Sequence, residues 1–421
     1  MKVLFVDPGE VSESWYSNRQ APNLGLAYIG TYLNHKGHTV KIVDMATYKS
    51  DVKSLKNIVR EFEPDVVGVT AASFNILPAY DVLHAVKEVD TTIFTVIGGP
   101  HATAVPERTL KECSALDAAV VSEGERAMEK ICTNPQPGIY QEPYIEPLDI
   151  LPFPDWTLFD YSQYKKAYSL KFKEERHIYI IITSRGCPYQ CKFCFPVHGR
   201  KVRSRSAENV FAEIQRDYQE YGATFFYVAD STLALNEKRI RTLCQLLIDS
   251  NLDISFKCQT RVNLVTEKVL TLLKKAGCEL LFFGLESGNE EILKRCGKNI
   301  TKDMIRTAVS RANEAGLCVR ASFIIGLDGD TRDTIRETIE FARELKDYGL
   351  DQAQFHCLDL YPETAFWHIV EGGEGTLKRG FENKYDWSVF SRNTPSMTTG
   401  DLTIEEIKAL REEGLDLFDK E

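Results

Sequence analysis

Two successive runs of β/α alternation, each with its own rhythm, constrain this chain more than any other feature. In the first, short apolar and β-branched runs at 3–6, 39–43, 66–70, 93–97 and 119–121 are separated by amphipathic helical patterns at 24–36, 52–62 and 79–89. Strands that are apolar on both faces and joined by helices form a parallel sheet covered on both sides, because a parallel connection needs a crossover of helix length. Five such strands predict an α/β, doubly wound, Rossmann-like domain over residues 1–145. In the second run, strands at 178–182, 225–228, 254–258, 280–283, 319–325 and 354–360 alternate with helices. Six β/α steps predict a partial (β/α)6 barrel over 178–370, with its chemistry on the loops after the strands.

The segments that join and follow these runs read differently. Residues 146–177 hold Pro147, Pro152 and Pro154 with Phe153, Trp156, Phe159 and Tyr161, a composition that predicts a packed, extended connection rather than a flexible tether. Residues 371–421 begin with a glycine-rich break, continue through a polar aromatic stretch at 385–399 and end in a helical pattern at 402–418 headed by Thr403-Ile404-Glu405-Glu406, a capping-box sequence. This last region is expected either to cap the barrel mouth or to cover core.

In a doubly wound sheet the ligand lies beyond the carboxyl ends of the strands. The first domain offers there Asp7-Pro8-Gly9, Thr70 to Ser73, Gly98-Gly99-Pro100-His101 and Glu123-Gly124-Glu125. Small residues let a bulky ligand approach the backbone. His101 is open to two readings, a hydrogen-bonded turn residue or a ligand contact.

The second run carries the sharper chemical signal, in the segment Thr183 to Phe195. Cys187, Cys191 and Cys194 stand there at spacings of four and three. Three thiolates on one short loop can ligate three irons of a [4Fe–4S] cube and leave the fourth iron open to substrate or cofactor. Zinc stays open as an alternative, because His198 follows Cys194 by four residues.

Bulk properties narrow the setting. The eleven cysteines, an odd number lying mostly in apolar runs, argue against a disulfide framework and for a reducing, cytoplasmic compartment. No run approaches the ~18 apolar residues of a membrane span, and the apolar start meets Asp7 too soon for a signal peptide. A net charge of −10 argues against nucleic acid as a partner. One basic stretch, 199–205, is either a solvated loop or a contact for a phosphate or carboxylate.

Cys-x-x-x-Cys-x-x-Cys after an apolar strand, with Phe193 before the third cysteine, resembles the cluster loop of the radical S-adenosylmethionine (SAM) enzymes. In that family SAM chelates the open iron and is cleaved to a 5′-deoxyadenosyl radical. The resemblance implies SAM contacts at Phe193, at the backbone near Asp230, and at Arg261, Glu286 and Ser287, although Glu286 also reads as a solvated strand end and Arg261 as half of an ion pair. Asp328 stands where the family usually has proline. Cys258 and Cys357, at or near strand ends, are candidate hydrogen-atom or proton donors if they point into the barrel, and small hydrophobes if they do not.

The N-terminal order Pro22 to Ala27 with Gly25, then Gly98-Gly99-Pro100-His101, then Glu123-Gly124-Glu125 looks like the cobalamin-binding domain that precedes many radical SAM enzymes. It lacks Asp-x-His-x-x-Gly, so a histidine of that motif is not the lower cobalt ligand. Such a domain can also keep the fold without binding a corrin. The combined resemblance implies cobalamin-dependent methylation of an unactivated carbon in a small-molecule or peptide substrate, with an external electron donor such as flavodoxin or ferredoxin. A non-methylating dehydration, cyclisation or rearrangement is the alternative, and a non-catalytic corrinoid or zinc protein is the reading from another class.

Overall fold

The computed structural model describes residues 1–9, 19–380, 382–390 and 395–418. Residues 391–394 of the aromatic stretch expected in the cap region lie outside them. The chain divides into two compact units: residues 1–167 with 175–180 and 197–199, and residues 168–174, 181–196 and 200–421.

The first unit is built on a six-stranded sheet of Lys2–Asp7 (β1), Thr39–Asp44 (β2), Val66–Thr70 (β3), Phe94–Gly98 (β4), Ala118–Val121 (β5) and Gly138–Gln141 (β6), in the order β2-β1-β3-β4-β5-β6. All neighbours are parallel. Val3, Leu4, Val6, Val66, Val67 and Ile97 are fully buried, as strands covered on both faces require. The order reverses between β1 and β3, which puts the switch point at the carboxyl ends of those strands. β6 was not among the expected strands. Its four residues, between Pro137 and Pro143, are too few to show a period, and the ladder to β5 defines it.

Much of the proline and aromatic stretch packs as part of the first unit. Tyr161 stacks on Tyr179 with ring centroids 4.6 Å apart, and Trp156 meets Tyr179 edge-on at 6.0 Å. Aromatic burial of this kind makes the segment rigid without regular secondary structure.

The second sheet runs in simple succession through Ile178–Ile181 (β7), Phe225–Val228 (β8), Ser255–Thr260 (β9), Cys278–Glu286 (β10), Cys318–Ile325 (β11) and Gln352–Cys357 (β12). β7 and β12 are the edges, so the barrel is open. Helices Ala207–Tyr221, Glu237–Ser250 and Glu267–Lys275 pack on one face, against Ile181, Phe226, Val228 and Phe256. Alternation along each strand then assigns Tyr227, Lys257, Gln259, Phe282, Arg320, Ser322, Gln354 and His356 to the opposite, inner face, where all are half-buried or exposed.

The C-terminal helix Ile404–Leu415 is started by the predicted capping box of Thr403 and Glu406. It completes the outer layer over the last strand: a Cβ on Gly414 would come 2.8 Å from the Phe355 ring, and Arg411 Nε donates to Phe355 O at 3.0 Å. This helix covers core. No helix of the described residues is long and apolar enough to cross a membrane.

Candidate active site

The cysteine loop leaves β7 and is pinned at both ends. At its start the fully buried Asp230 accepts hydrogen bonds from Thr183 N and Oγ1 (2.6 Å each) and from Ser184 N (3.1 Å) and Oγ (2.6 Å). The Asp230 carbonyl accepts from Gln259 Nε2 at 3.0 Å. Asp230 therefore places the loop, and its side chain is already saturated. Further along, Lys192 N donates to Cys296 O at 2.9 Å and Phe366 N to Lys192 O at 3.0 Å. Gly297, at φ 73°, brings its Cα so close to the loop that a Cβ would lie 2.9 Å from Gln190 O.

Cys191 is buried, Cys187 half-buried and Cys194 exposed. Although solvent reaches Cys194, burial by the surrounding protein pushes its thiol up to about 11, with Cys191 and Cys187 adding to the effect. Among the described residues no three His, Cys, Asp or Glu side chains converge on one ion position. A zinc ion needs its donors within about 2.0–2.3 Å of a single point. An iron–sulfur cube instead takes each thiolate on a different iron, which does not require the three sulfurs to meet at one point. His198, the fourth donor that zinc needs, faces Glu123 at 3.9 Å.

A network of buried charge backs this loop. Arg261 Nη1 donates to Cys191 Sγ at 3.3 Å, Nη2 donates to Lys298 O, and the guanidinium lies 3.8 Å from the Tyr189 ring centroid. The Lys298 ammonium in turn pairs with Glu286 Oε1 at 2.7 Å, both side chains less than a tenth exposed. Glu286 sits in left-handed backbone at φ 70° beside a bulge in β10, and a Cβ on Gly284 would come 2.6 Å from its carboxylate. Arg261 and Glu286 are thus brought into one network with the cysteine loop. Lys298, which links them, has no sequence signal that separates it from a surface lysine.

The other expected SAM contacts divide. Phe193 is half-buried beside Cys194. Ser287 is buried and bonded to Thr338 Oγ1 at 3.1 Å, which ties β10 to helix Arg332–Glu344 rather than presenting a hydroxyl to a ligand. Asp328 builds its own turn by pairing with Arg295 at 2.8 Å and accepting from Thr376 N at 2.7 Å.

Cys258 and Cys357 require correction as radical-quenching candidates, because both face the helix layer. Cys258 shares strand parity with Phe256, and its sulfur lies 3.8 Å from that of Cys278. That neighbour and burial hold the thiol well above its ordinary range. Cys357 shares parity with Phe355. Burial pushes its thiol up to about 12, and the charges it senses include Arg411, Glu412 and Lys408 of the C-terminal helix. Each fills an apolar position.

In the first unit the strand ends form a shelf of backbone. Ala71 N donates to Gly98 O at 2.9 Å and His101 N to Ala71 O at 3.1 Å. Gly99, at φ 96°, passes so near that a Cβ would lie 2.7 Å from Ala71 O, whereas a Cβ on Gly98 would meet only Val120, at 3.9 Å. Thr70 at the end of β3 is half-buried. Open space over Gly98 beside the switch point fits a large planar ligand such as a corrin.

Other residues expected at this shelf are structural. Asp7 is held by Arg19 at 2.6 Å and Asn23 at 3.1 Å, with Pro8 buried behind it. Gly124 lets helix Leu24–His35 approach, since a Cβ would lie 2.5 Å from Ile29 Cδ1, and Glu125 is buried. Gly25 lies in the first turn of that helix, where a Cβ would come 3.3 Å from the capping oxygen of Asn23. His101 and Ser73 hold each other, with Nδ1 to Oγ at 3.0 Å, and burial pushes the imidazole down to about 3.

Comparison with known proteins agrees with this division. The model of the Radical SAM superfamily matches residues 181–342, and that of the B12 binding domain matches residues 17–132. An uncharacterized methyltransferase of Pyrococcus horikoshii is 32% identical over 97% of this chain and 90% of its own length. The anaerobic magnesium-protoporphyrin IX monomethyl ester cyclase of Rubrivivax gelatinosus is 29% identical over 86% of this chain and 68% of its own. The radical SAM methyltransferase TsrM of Kitasatospora setae, solved with cobalamin and a [4Fe-4S] cluster bound, superposes with a TM-score of 0.76 over 100% of this chain and 89% of its own. At 15% identity that last likeness is one of fold. The chain belongs to the radical SAM superfamily, with a B12-binding domain ahead of its catalytic domain, and is an enzyme whose family cofactors are a [4Fe–4S] cluster, SAM and cobalamin.

Proposed function

We propose that this enzyme is a cobalamin-dependent C-methyltransferase acting on an unactivated carbon of a small-molecule or peptide substrate, supplied with electrons by a flavodoxin or ferredoxin in the cytoplasm. The observation that carries this reading is the pairing, on one chain, of a three-cysteine loop backed by buried charge with a doubly wound sheet that leaves space over Gly98, at the carboxyl end of β4 next to the switch-point strand β3. When bound, the cluster and SAM supply a 5′-deoxyadenosyl radical and cobalamin supplies a methyl group. The protein's own part is placement. Asp230 fixes the start of the cysteine loop, Arg261 steadies Cys191, and the Lys298–Glu286 pair holds the end of β10 next to them.

The test is anaerobic reconstitution with iron, sulfide and hydroxocobalamin, followed by metal counts and product analysis with methyl-labelled SAM. About four irons and about one cobalt per chain, with both 5′-deoxyadenosine and S-adenosylhomocysteine formed, is the expected result. A second reading, hydrogen abstraction followed by cyclisation or another rearrangement, is favoured by the cyclase among the relatives. Iron without cobalt, and 5′-deoxyadenosine without S-adenosylhomocysteine, would make that reading the better one.

A further inference from the structure

The inner face of the open barrel carries two cations that the cysteine-loop network does not use. Lys257 stands on β9 and Arg320 on β11, both on the inner face. Gln259, Phe282 and Arg320 occupy one row across β9, β10 and β11, and Lys257 precedes Gln259 by two residues, so it projects to the same side. The Lys257 ammonium lies 5.4 Å from the Tyr227 ring centroid and 5.9 Å from that of Phe225, and Tyr227 Oη donates to Gln259 Oε1 at 3.3 Å.

Among the described residues no carboxylate forms an ion pair with either cation. Arg320 Nε is buried without a hydrogen-bond partner. The carboxylate that acts on Lys257, Glu279, is taken up by Ser169 Oγ at 2.7 Å and by Leu170 N and Lys171 N at 3.1 Å each. Asp351, whose charge acts with that of Arg320 on the Cys318 thiol, accepts from Val319 N at 2.7 Å. Burial, and then the charge of Arg320, lower the Lys257 ammonium to about 8. In a chain of net charge −10, two half-buried cations without carboxylate partners cost stability unless something else neutralises them.

We propose that Lys257 and Arg320, with Tyr227 and Gln259 beside them, form an oxyanion-binding site inside the barrel, and that the substrate enters carrying a carboxylate or a phosphate-type group. As the substrate subsite of the methyltransferase this rests on the function proposed above, whereas the binding site itself rests only on the inner face. Arg320 supplies a planar fork and Lys257 a point charge, a pair suited to an oxyanion with two or three oxygens.

Thermal unfolding of the full chain, with inorganic phosphate and succinate titrated separately, tests the site. The expected result is protection of the wild type by one of the two anions, and loss of that protection in Lys257→Met and in Arg320→Gln. Lys238→Gln, an exposed substitution on helix Glu237–Ser250, should keep it. Without any anion, Lys257→Met should melt higher by about 2 °C, because it removes a half-buried charge that has no ion-pair partner and lies in the field of Arg320. Phosphate alone protecting would select a phosphate-type substrate, and succinate alone a carboxylate. No protection of the wild type by either, or equal protection of the variants, would overturn the proposal. Production of 5′-deoxyadenosine by the reconstituted wild type is measured in parallel. Its absence alongside intact anion protection would sink the catalytic reading and leave the site standing.

Discussion

At the carboxyl ends of the first sheet, the groups left open to a ligand are backbone and small side chains, Gly98 and Thr70, while Asp7, His101 and Glu125 are buried or already paired. At the corresponding ends of the second sheet the groups are charged and buried: Asp230, Arg261, Glu286 and Lys298. A corrin is large and planar, so it is received by removing side chains from a surface. A cluster loop of a dozen residues has little core of its own, so its geometry must be held by strong, directional bonds from neighbouring strands. The first sheet makes a site by subtraction and the second by a network.

The largest expected effect falls on the second site. Replacing any one of Cys187, Cys191 and Cys194 with alanine should abolish iron binding and 5′-deoxyadenosine formation, while hydroxocobalamin binding and circular dichroism stay as in the wild type. Normal iron content in Cys194→Ala would break the assignment of the three cysteines to one cube.

The next effect is energetic. Lys298→Met leaves Glu286 buried without its partner, and removing one member of a buried pair costs about 3–5 kcal/mol. The double variant Lys298→Met/Glu286→Gln should recover much of that loss in urea unfolding while still reconstituting poorly, because Arg261 and Cys191 lose the support behind them. If the double variant takes up iron as the wild type does, the network is a stability feature only.

Gly98→Ala and Gly99→Ala sharpen the idea of subtraction on the first sheet. Gly99 combines positive φ with a Cβ that would strike Ala71 O, so its substitution should destabilise by about 1–3 kcal/mol. Gly98 has room for the methyl, so Gly98→Ala should keep wild-type stability and lose hydroxocobalamin affinity, read by equilibrium dialysis. Equal affinity in Gly98→Ala would remove the shelf as the corrin site.

Much of this was legible in the sequence, for a physical reason in each case. Cysteine spacing is covalent and local, and β-branched runs report parallel strands directly, so the cluster loop and both sheets could be read. Residues whose role depends on a distant partner could not. Ser287 finds Thr338 fifty-one positions on, and Lys298 is defined by Glu286 at the end of β10 and Arg261 just beyond the end of β9. Cys258 and Cys357 stay open between two readings in the sequence, because a strand end says nothing about parity when both of its faces hold mixed residues. Only the helices packed against Phe256 and Phe355 decide which side is inside.

A last effect separates the two units by pH. His101 in the first unit is buried and held down to about 3, against about 6.5 when unfolded, so between those values the unfolded chain binds the extra proton. Its neutral form therefore contributes stability that is complete above about pH 6.5 and is lost as pH falls towards 3. Lys257 in the second unit has the same sign of shift in a different window: its folded value of about 8 lies below the unfolded value, so stability rises as pH climbs from 8 towards 10. Hydrogen exchange of the two units between pH 7 and 4 should show the first opening earlier, and His101→Gln, which keeps a partner for Ser73 without a titrating ring, should flatten that dependence. A first unit whose opening is independent of pH over this range would mean that the imidazole is hydrated through fluctuations that the packed Ser73–His101 contact does not reveal.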